Sequence, residues 1–307
     1  MKISTNLVFE RATQQMSTVQ SDLAKTQAQV ASSKEVVHPS DAPDKAAAIQ
    51  RLRSMLDRQT SYSNTISAVQ TRLQAEDTSL GSVTDLLDRV KELSVQAAND
   101  TLSGPNRQAI GNELKGLRDQ MLSLANSQDN SGNYLFAGSR LTQPPFPTRS
   151  DGTVEYRGDQ TRMSVSVGDQ RSLPLNRSGS EVFVPVKRTD ALGNTAGVGF
   201  FRAIDDLTAA VNSSNAAGMQ RGIGEIDAMA QGVLLARADV GTDLSVADHQ
   251  TAVLEDTVLN LKTTLSSIED LDYAAAVTRM NKQMLSLEAA QASFAKIAKL
   301  NLFNYIN

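Results

Sequence analysis

"LRSMLDRQTSYSNTISAVQTRLQAEDTSLGSVTDLLDRVKELSVQA" occupies residues 52–97. Seam positions recur at alternating steps of three and four: Leu52, Met55, Gln59, Tyr62, Ile66, Val69, Leu73, Glu76, Leu80, Val83, Leu87, Val90, Ser94 and Ala97. Most are apolar and the phase never slips, so the stretch reads as one coiled-coil-like helix with a period of about 3.5. At 1.5 Å per residue it is roughly 70 Å long. A helix of that length with one apolar seam needs partners along its whole course.

The same rhythm recurs on both sides. Upstream it is Phe9, Ala12, Met16, Val19, Leu23, Thr26 and Val30; just downstream it is Ile110, Leu114, Leu117, Met121 and Leu124. In the second half come Ile223, Ile226, Ala230, Val233, Arg237 and Val240, then Leu244, Ala247, Thr251, Leu254, Val258, Leu261, Leu265 and Ile268. The last set is Val277, Met280, Met284, Leu287, Gln291, Phe294 and Ala298, and the phase shift at Leu271–Tyr273 predicts a break. In "HPSDAPDKAAAI" Pro39 ends the first helix; Asp41 is the expected N-cap of the next, with Pro43 in the first turn and Asp44 at the capping-box position. Ser103 caps the helix that follows "TLSGPNRQAI", and Gly241, just past Val240, is expected to end another.

Residues 134–197 break the pattern. Five of the eight prolines fall there, and Met163, Val165 and Val167 alternate with Ser164 and Ser166, the period of a strand. "DG", "RGD" and "VGD" supply turns, and the RGD at 157–159 reads as a turn, not an adhesion site. The α pattern resumes at Phe200, Ile204, Leu207 and Val211. The expected fold is therefore mainly α with a small β insert: a discontinuous helical bundle over 1–133 and 198–307, and an inserted antiparallel β domain over 134–197. Its turns, prolines and short strands read as a separate local unit.

Sites for chemistry are scarce. Cysteine is absent, which removes disulfides, thiol nucleophiles and thiolate metal sites. The two histidines, His38 and His249, share no metal-ligand spacing and read as solvated. "GNTAGVGF" lacks the strand and lysine of a phosphate loop and reads as a linker. The acids of "IGEID" and "IEDLD" read as solvated helix faces. A net charge of -4 argues against nucleic acid as a partner, and no apolar run is long enough to span a membrane. The start, "MKISTNLVFERATQQM", lacks the apolar core of a secretory signal. No catalytic residue, metal or cofactor is expected.

The tips are unusual. Ile3, Leu7, Val8, Leu302, Phe303 and Ile306 widen the terminal stripes beyond what one helix pair covers, and wide apolar faces of this kind are completed by other chains. The expected assembly residues are Ile3, Leu7, Phe9, Met16 and Leu23 near the start. Near the end they are Met284, Leu287, Phe294, Ile297, Leu300, Leu302, Phe303 and Ile306.

Four stretches, in this order, resemble the flagellin superfamily of bacterial flagella: "MKIST" at 1–5, "HPSDAPDKAA" at 38–47, "NSGNYLFAG" at 130–138 and "YAAAVTRMNKQMLSLEAAQASFAKIAKLNLFNYI" at 273–306. Position 38 and position 42 depart from that family's Asn-Pro-Ser-Asp-Asp-Pro segment. The opening and the ending favour the hook-associated branch over the filament subunit, flagellin, which is the runner-up. A signalling coiled coil is a third reading, disfavoured by the proline-rich insert. The resemblance implies a non-enzymatic structural subunit at the junction of hook and filament, outside the cell and exported without a cleaved signal peptide. Its implied partners are other copies of itself, a second hook-associated junction protein, flagellin and a cytoplasmic export chaperone. The termini, about 1–40 and 272–307, would form the inner assembly helices.

Overall fold

The structure is a computed structural model that describes residues 2–99, 101–189 and 194–303, the side chains of residues 2–6, 8 and 297–303 aside. Seven helices are present among the described residues: α1 (Lys2–Ser32), α2 (Pro43–Ala97), α3 (Gly104–Ala125), α4 (Gly179–Val182), α5 (Phe200–Asn212), α6 (Ala216–Glu269) and α7 (Tyr273–Phe303). Four short strands, β1 (Ser164–Ser166), β2 (Ser172–Pro174), β3 (Val186–Thr189) and β4 (Thr195–Val198), form two antiparallel pairs. The chain divides into two compact units, Met1–Gln59 with Asp256–Asn307, and Thr60–Glu255.

In the Thr60–Glu255 unit the seam of α2 is fully used. Ile66, Val69, Leu73, Leu80, Val83, Leu87, Val90 and Ala97 are all 0–2% exposed. On α6 the buried apolar seam runs Met219, Ile226, Val233, Val240, Ala247 and Leu254, one every seven residues, with Met229 and Ala236 between its members. Ala236 thus takes the slot expected for Arg237, whose guanidinium instead donates to Asp77 at 2.8 Å. Gly241 does not end a helix: α6 runs through it, because Val240 and Ala247 continue the buried seam and an interior glycine costs only about 1 kcal/mol. Ser103 does hold the N-cap position of α3, although its side chain makes no capping bond.

α5 packs on α3 and buries Phe200, Phe201, Ala203, Ile204, Leu207, Ala210 and Val211. Five of the eight phenylalanines meet there. Phe183 stands 5.6 Å from Phe136, 5.2 Å from Phe146 and 5.2 Å from Phe200, and Phe146 stands 5.5 Å from Phe201. Phe136, Phe146 and Phe183 come from the insert, so its side chains and those of the helices enter one buried cluster. Full burial of each such ring is worth roughly 1.5–3 kcal/mol.

β1 and β2 pair through Val165 and Leu173, as the alternation around Val165 predicts. "GNTAGVGF" is not a linker. Thr195–Val198 pairs with Val186–Thr189, Val198 opposite Val186, and Gly199 is the N-cap residue of α5. The RGD turn is internally engaged: Asp159 accepts from the backbone N–H groups of Ser139 and Thr161 at 2.9 and 3.0 Å and from the Ser139 hydroxyl. These bonds, the Ser139 hydroxyl foremost, hold its pKa at about 2. Gly138 has φ +67°, and a Cβ there would strike Asp159, which fixes glycine at the end of "YLFAG".

Acids read as solvated are also buried. Glu225, in "IGEID", is 7% exposed and receives two bonds from Arg188 of β3, at 2.7 and 2.8 Å. Glu269, in "IEDLD", is 6% exposed. Periodicity places a residue on a helix face but does not say which cation comes from elsewhere to meet it. His38 and His249 are exposed.

Candidate assembly surface on the terminal helices

α1 packs against α7. The pair is antiparallel: the backbone N–H of Leu271 donates to Ser33 at 3.2 Å beside the end of α1, while the Phe9 and Phe294 rings meet edge-to-face at 5.0 Å near its start. On α1 the half-buried stripe is Phe9, Ala12, Met16, Val19 and Leu23, which is the spacing read from the sequence. On α7 it is Val277, Met280, Gln283, Leu287, Ala290 and Phe294. The expected positions 284 and 291 are therefore displaced by one residue: Gln283 and Ala290 face α1, whereas Met284 and Gln291 are exposed. Similarly, Leu56 rather than Met55 lies inward on α2.

The helix break falls where the phase shift predicts it, between Glu269 and Tyr273. Asp272 starts α7 by accepting from the Ala275 N–H at 3.0 Å. Around this elbow a charge cluster fixes the turn. Glu269 Oε1 receives Lys34 at 2.5 Å and Arg53 at 2.6 Å, and its carbonyl accepts from the Glu35 N–H at 2.7 Å. Burial raises the Glu269 carboxyl, but the bonds from Lys34 and Arg53 outweigh it and leave its pKa below the usual glutamate value. Gln29 is 6% exposed and donates to the Glu35 carbonyl at 2.6 Å. Asp41 does not turn forward onto α2. Its carboxylate pairs with Lys25 at 3.1 Å and accepts from the His38 N–H at 3.2 Å, so it closes the turn.

Of the expected assembly residues, Phe9, Met16, Leu23, Leu287 and Phe294 lie half-buried in the α1–α7 seam. Leu7 and Met284 are 47% and 42% exposed. The side chains of Ile3, Ile297, Leu300, Leu302 and Phe303, and all of Ile306, lie outside the described residues. Two apolar residues of α7 absent from that set are more exposed still: Leu285 at 68% and Tyr273 at 59%. The step of one along α7 hid Leu285, because the seven-residue reading stops at the seam and ignores its flank. Among the described residues no group of His, Cys, Asp and Glu could hold a metal, and no helix is long and apolar enough to cross a membrane.

Comparison with known proteins fits this geometry. Residues 3–140 match the bacterial flagellin N-terminal helical region, and residues 223–306 match the bacterial flagellin C-terminal helical region. The chain belongs to the flagellin superfamily. Those two regions of the superfamily take in most of the chain and contain α1 and α7. Its curated relatives include flagellar hook-associated protein 3 of Salmonella typhimurium and of Escherichia coli, each 26% identical over 316 residues and covering 99% of both chains. Polar flagellin A of Vibrio parahaemolyticus is 24% identical but covers 73% of this chain and 77% of its own. Among solved structures, Xanthomonas campestris FlgL is 27% identical with a TM-score of 0.61, covering 71% of this chain and 99% of its own. A putative flagellar hook-associated protein from Vibrio parahaemolyticus, 23% identical, shares the fold with a TM-score of 0.67 over 75% of this chain and 100% of its own. This member of the flagellin superfamily is accordingly a structural component of the bacterial flagellum.

Proposed function

We propose that this chain is the structural subunit that joins hook to filament, and that copies join through their terminal helices. The observation that carries the reading is the α1–α7 pair. Its two apolar stripes face each other, yet Leu7, Met284 and Leu285 remain 42–68% exposed. A pair of helices covers one stripe on each, and further apolar surface of this kind marks a site for other chains. The likeness to hook-associated protein 3, 26% identical over 99% of both chains, against 24% to polar flagellin A over 73% of this chain and 21% to the flagellin of Listeria monocytogenes over 98% of it, supports the junction over the filament.

In this reading the neighbours are other copies of the chain, a second hook-associated junction protein on one side and flagellin on the other. The role is structural, with no reaction catalysed. The chain leaves the cell unfolded through the flagellar type III channel, without a cleaved signal and escorted by a cytoplasmic chaperone. The absence of cysteine suits that route, since no disulfide can lock the chain before passage.

Removal of residues 291–307 tests the proposal. The truncated monomer should lose no more than about 1–2 kcal/mol of unfolding free energy, chiefly the Phe9–Phe294 contact, since the deep seam of α2 is untouched. Cells carrying only that version should stop swimming and release flagellin into the medium. Normal swimming, or a truncated monomer that unfolds much earlier, would reject the assembly role of the tail.

A further inference from the structure

One buried acid among the described residues of the Thr60–Glu255 unit is left without a hydrogen bond. Glu76 occupies a seam position of α2 and is 0% exposed. Neither of its oxygens has a hydrogen-bond partner, and the Nε groups of Arg72 and Arg177 are likewise buried and unbonded. Arg72 Nε lies 3.8 Å from Oε1, and Arg177 Nε lies 3.5 Å from Oε2. Both guanidiniums are committed elsewhere. Arg72 donates to Asp129, in the loop after α3, at 2.6 Å, and to the carbonyls of Tyr134 and Leu135 at 3.1 and 3.2 Å. Arg177, from the insert, pairs with Asp243 of α6 and faces Asp239 at 3.8 Å. Arg162 of the insert adds a weaker attraction on Asp243. The hydrogen bonds from the two arginines to carboxylates therefore go to Asp129 and Asp243, and Glu76 is the acid left over. A buried carboxylate that accepts no hydrogen bond is costly enough that the group takes up a proton instead.

We propose that Glu76 is held as the neutral acid and acts as a proton-set bolt, so that the insert closes on α2 and α6 with uptake of one proton from solvent. Release of that proton places a bare negative charge between two arginines that already serve other carboxylates. Burial is the main cause of the shift; it raises the Glu76 carboxyl to about 7, against the pull of Arg72 and Arg177 and with help from Asp243. The folded value lies above the unfolded one. The bolt's contribution is therefore fully present below the ordinary glutamate value of 4.5 and is lost as pH rises through about 7.

The test uses the full chain and its Glu76→Gln variant, unfolded by denaturant at several values from roughly pH 5 to 8. Relative to the variant, the wild-type unfolding constant should rise about tenfold per pH unit until pH reaches about 7, then level off. Infrared spectra of the folded wild type near pH 6 should show a protonated-carboxyl stretch that moves on glutamate 13C labelling and is missing from the variant. Parallel pH profiles would overturn the proposal. So would the absence of that stretch, since Glu76 would then be a carboxylate hydrated by trapped water between Arg72 and Arg177. The infrared measurement decides alone if Glu76→Gln fails to fold.

Discussion

α2 beyond residue 60 and α1 carry the same heptad rhythm and put it to different ends. From Ile66 to Val90 the apolar seam side chains of α2 are 0–2% exposed. From Phe9 to Leu23 the apolar seam of α1 is only half-buried, and the two buried side chains among those described on α1 are polar: Thr26 and Gln29. The difference is the number of neighbours. In the Thr60–Glu255 unit the seam enters one buried cluster with side chains of α3, α5, α6 and the insert, whereas along α1 the packing partner is α7. A heptad therefore specifies which face is apolar and leaves open what covers it.

The contrast is broken most directly by charge. Leu80→Asp buries an ion with no route to water, a cost of several kcal/mol, and should abolish the cooperative melt followed by circular dichroism. Leu285→Asp, on the exposed flank of α7, should leave that melt in place. Equal loss in both variants would refute the division into a closed core and an open pair. Phe183→Ala comes next. It empties the ring site between Phe136, Phe146 and Phe200 and should cost about 3–5 kcal/mol in a denaturant titration. Replacing residues 140–196 with a short Gly/Ser linker removes Phe146 and Phe183 together and should leave no two-state transition; an intact melt would mean that the insert adds little to the core.

Glu269→Gln sharpens the comparison at a smaller scale. Loss of charge-assisted bonds from Lys34 and Arg53 should cost about 1.5–3 kcal/mol near neutral pH, read as earlier exposure of the elbow to proteolysis or hydrogen exchange. The folded value of Glu269 lies below the ordinary 4.5, so its contribution is present above that value and is lost as pH falls through the folded one. Acid thus weakens the elbow while it favours the closed state at Glu76, and a pH series should move the two regions in opposite directions. The smallest effect belongs to the aromatic pair. A double-mutant cycle over Phe9→Ala and Phe294→Ala should give a coupling of about 0.5–1.5 kcal/mol in the monomer.

The long helices, the break at 271–273 and the antiparallel insert were legible because each is written in local pattern: a period, a phase shift, a run of prolines. The candidate surface was legible as a stripe but not to the residue. Methionine fits a seam and a flank equally well, and the period points Met55 and Met284 inward where Leu56 and Gln283 lie inward. Partners distant in sequence were not legible at all. Nothing near Glu225 or Glu269 announces Arg188 or Arg53, and "GNTAGVGF" is strand only because Val186–Thr189 lies beside it. Five phenylalanines scattered from 136 to 201 gave no sign that they meet.

The strands of the insert are three or four residues long, and proline closes β2 and stands just before β3. Under the proposed assembly of many copies in the flagellum, open strand edges would be a hazard, because every such edge is a template for the next chain. Edges this short, interrupted by Pro174 and Pro185 and carrying Lys187 and Arg188 on β3, cannot seed a continuous cross-β stack. In the proposed assembly, self-association is thereby left to helices, whose contacts can be undone and registered, and kept away from cross-β stacking.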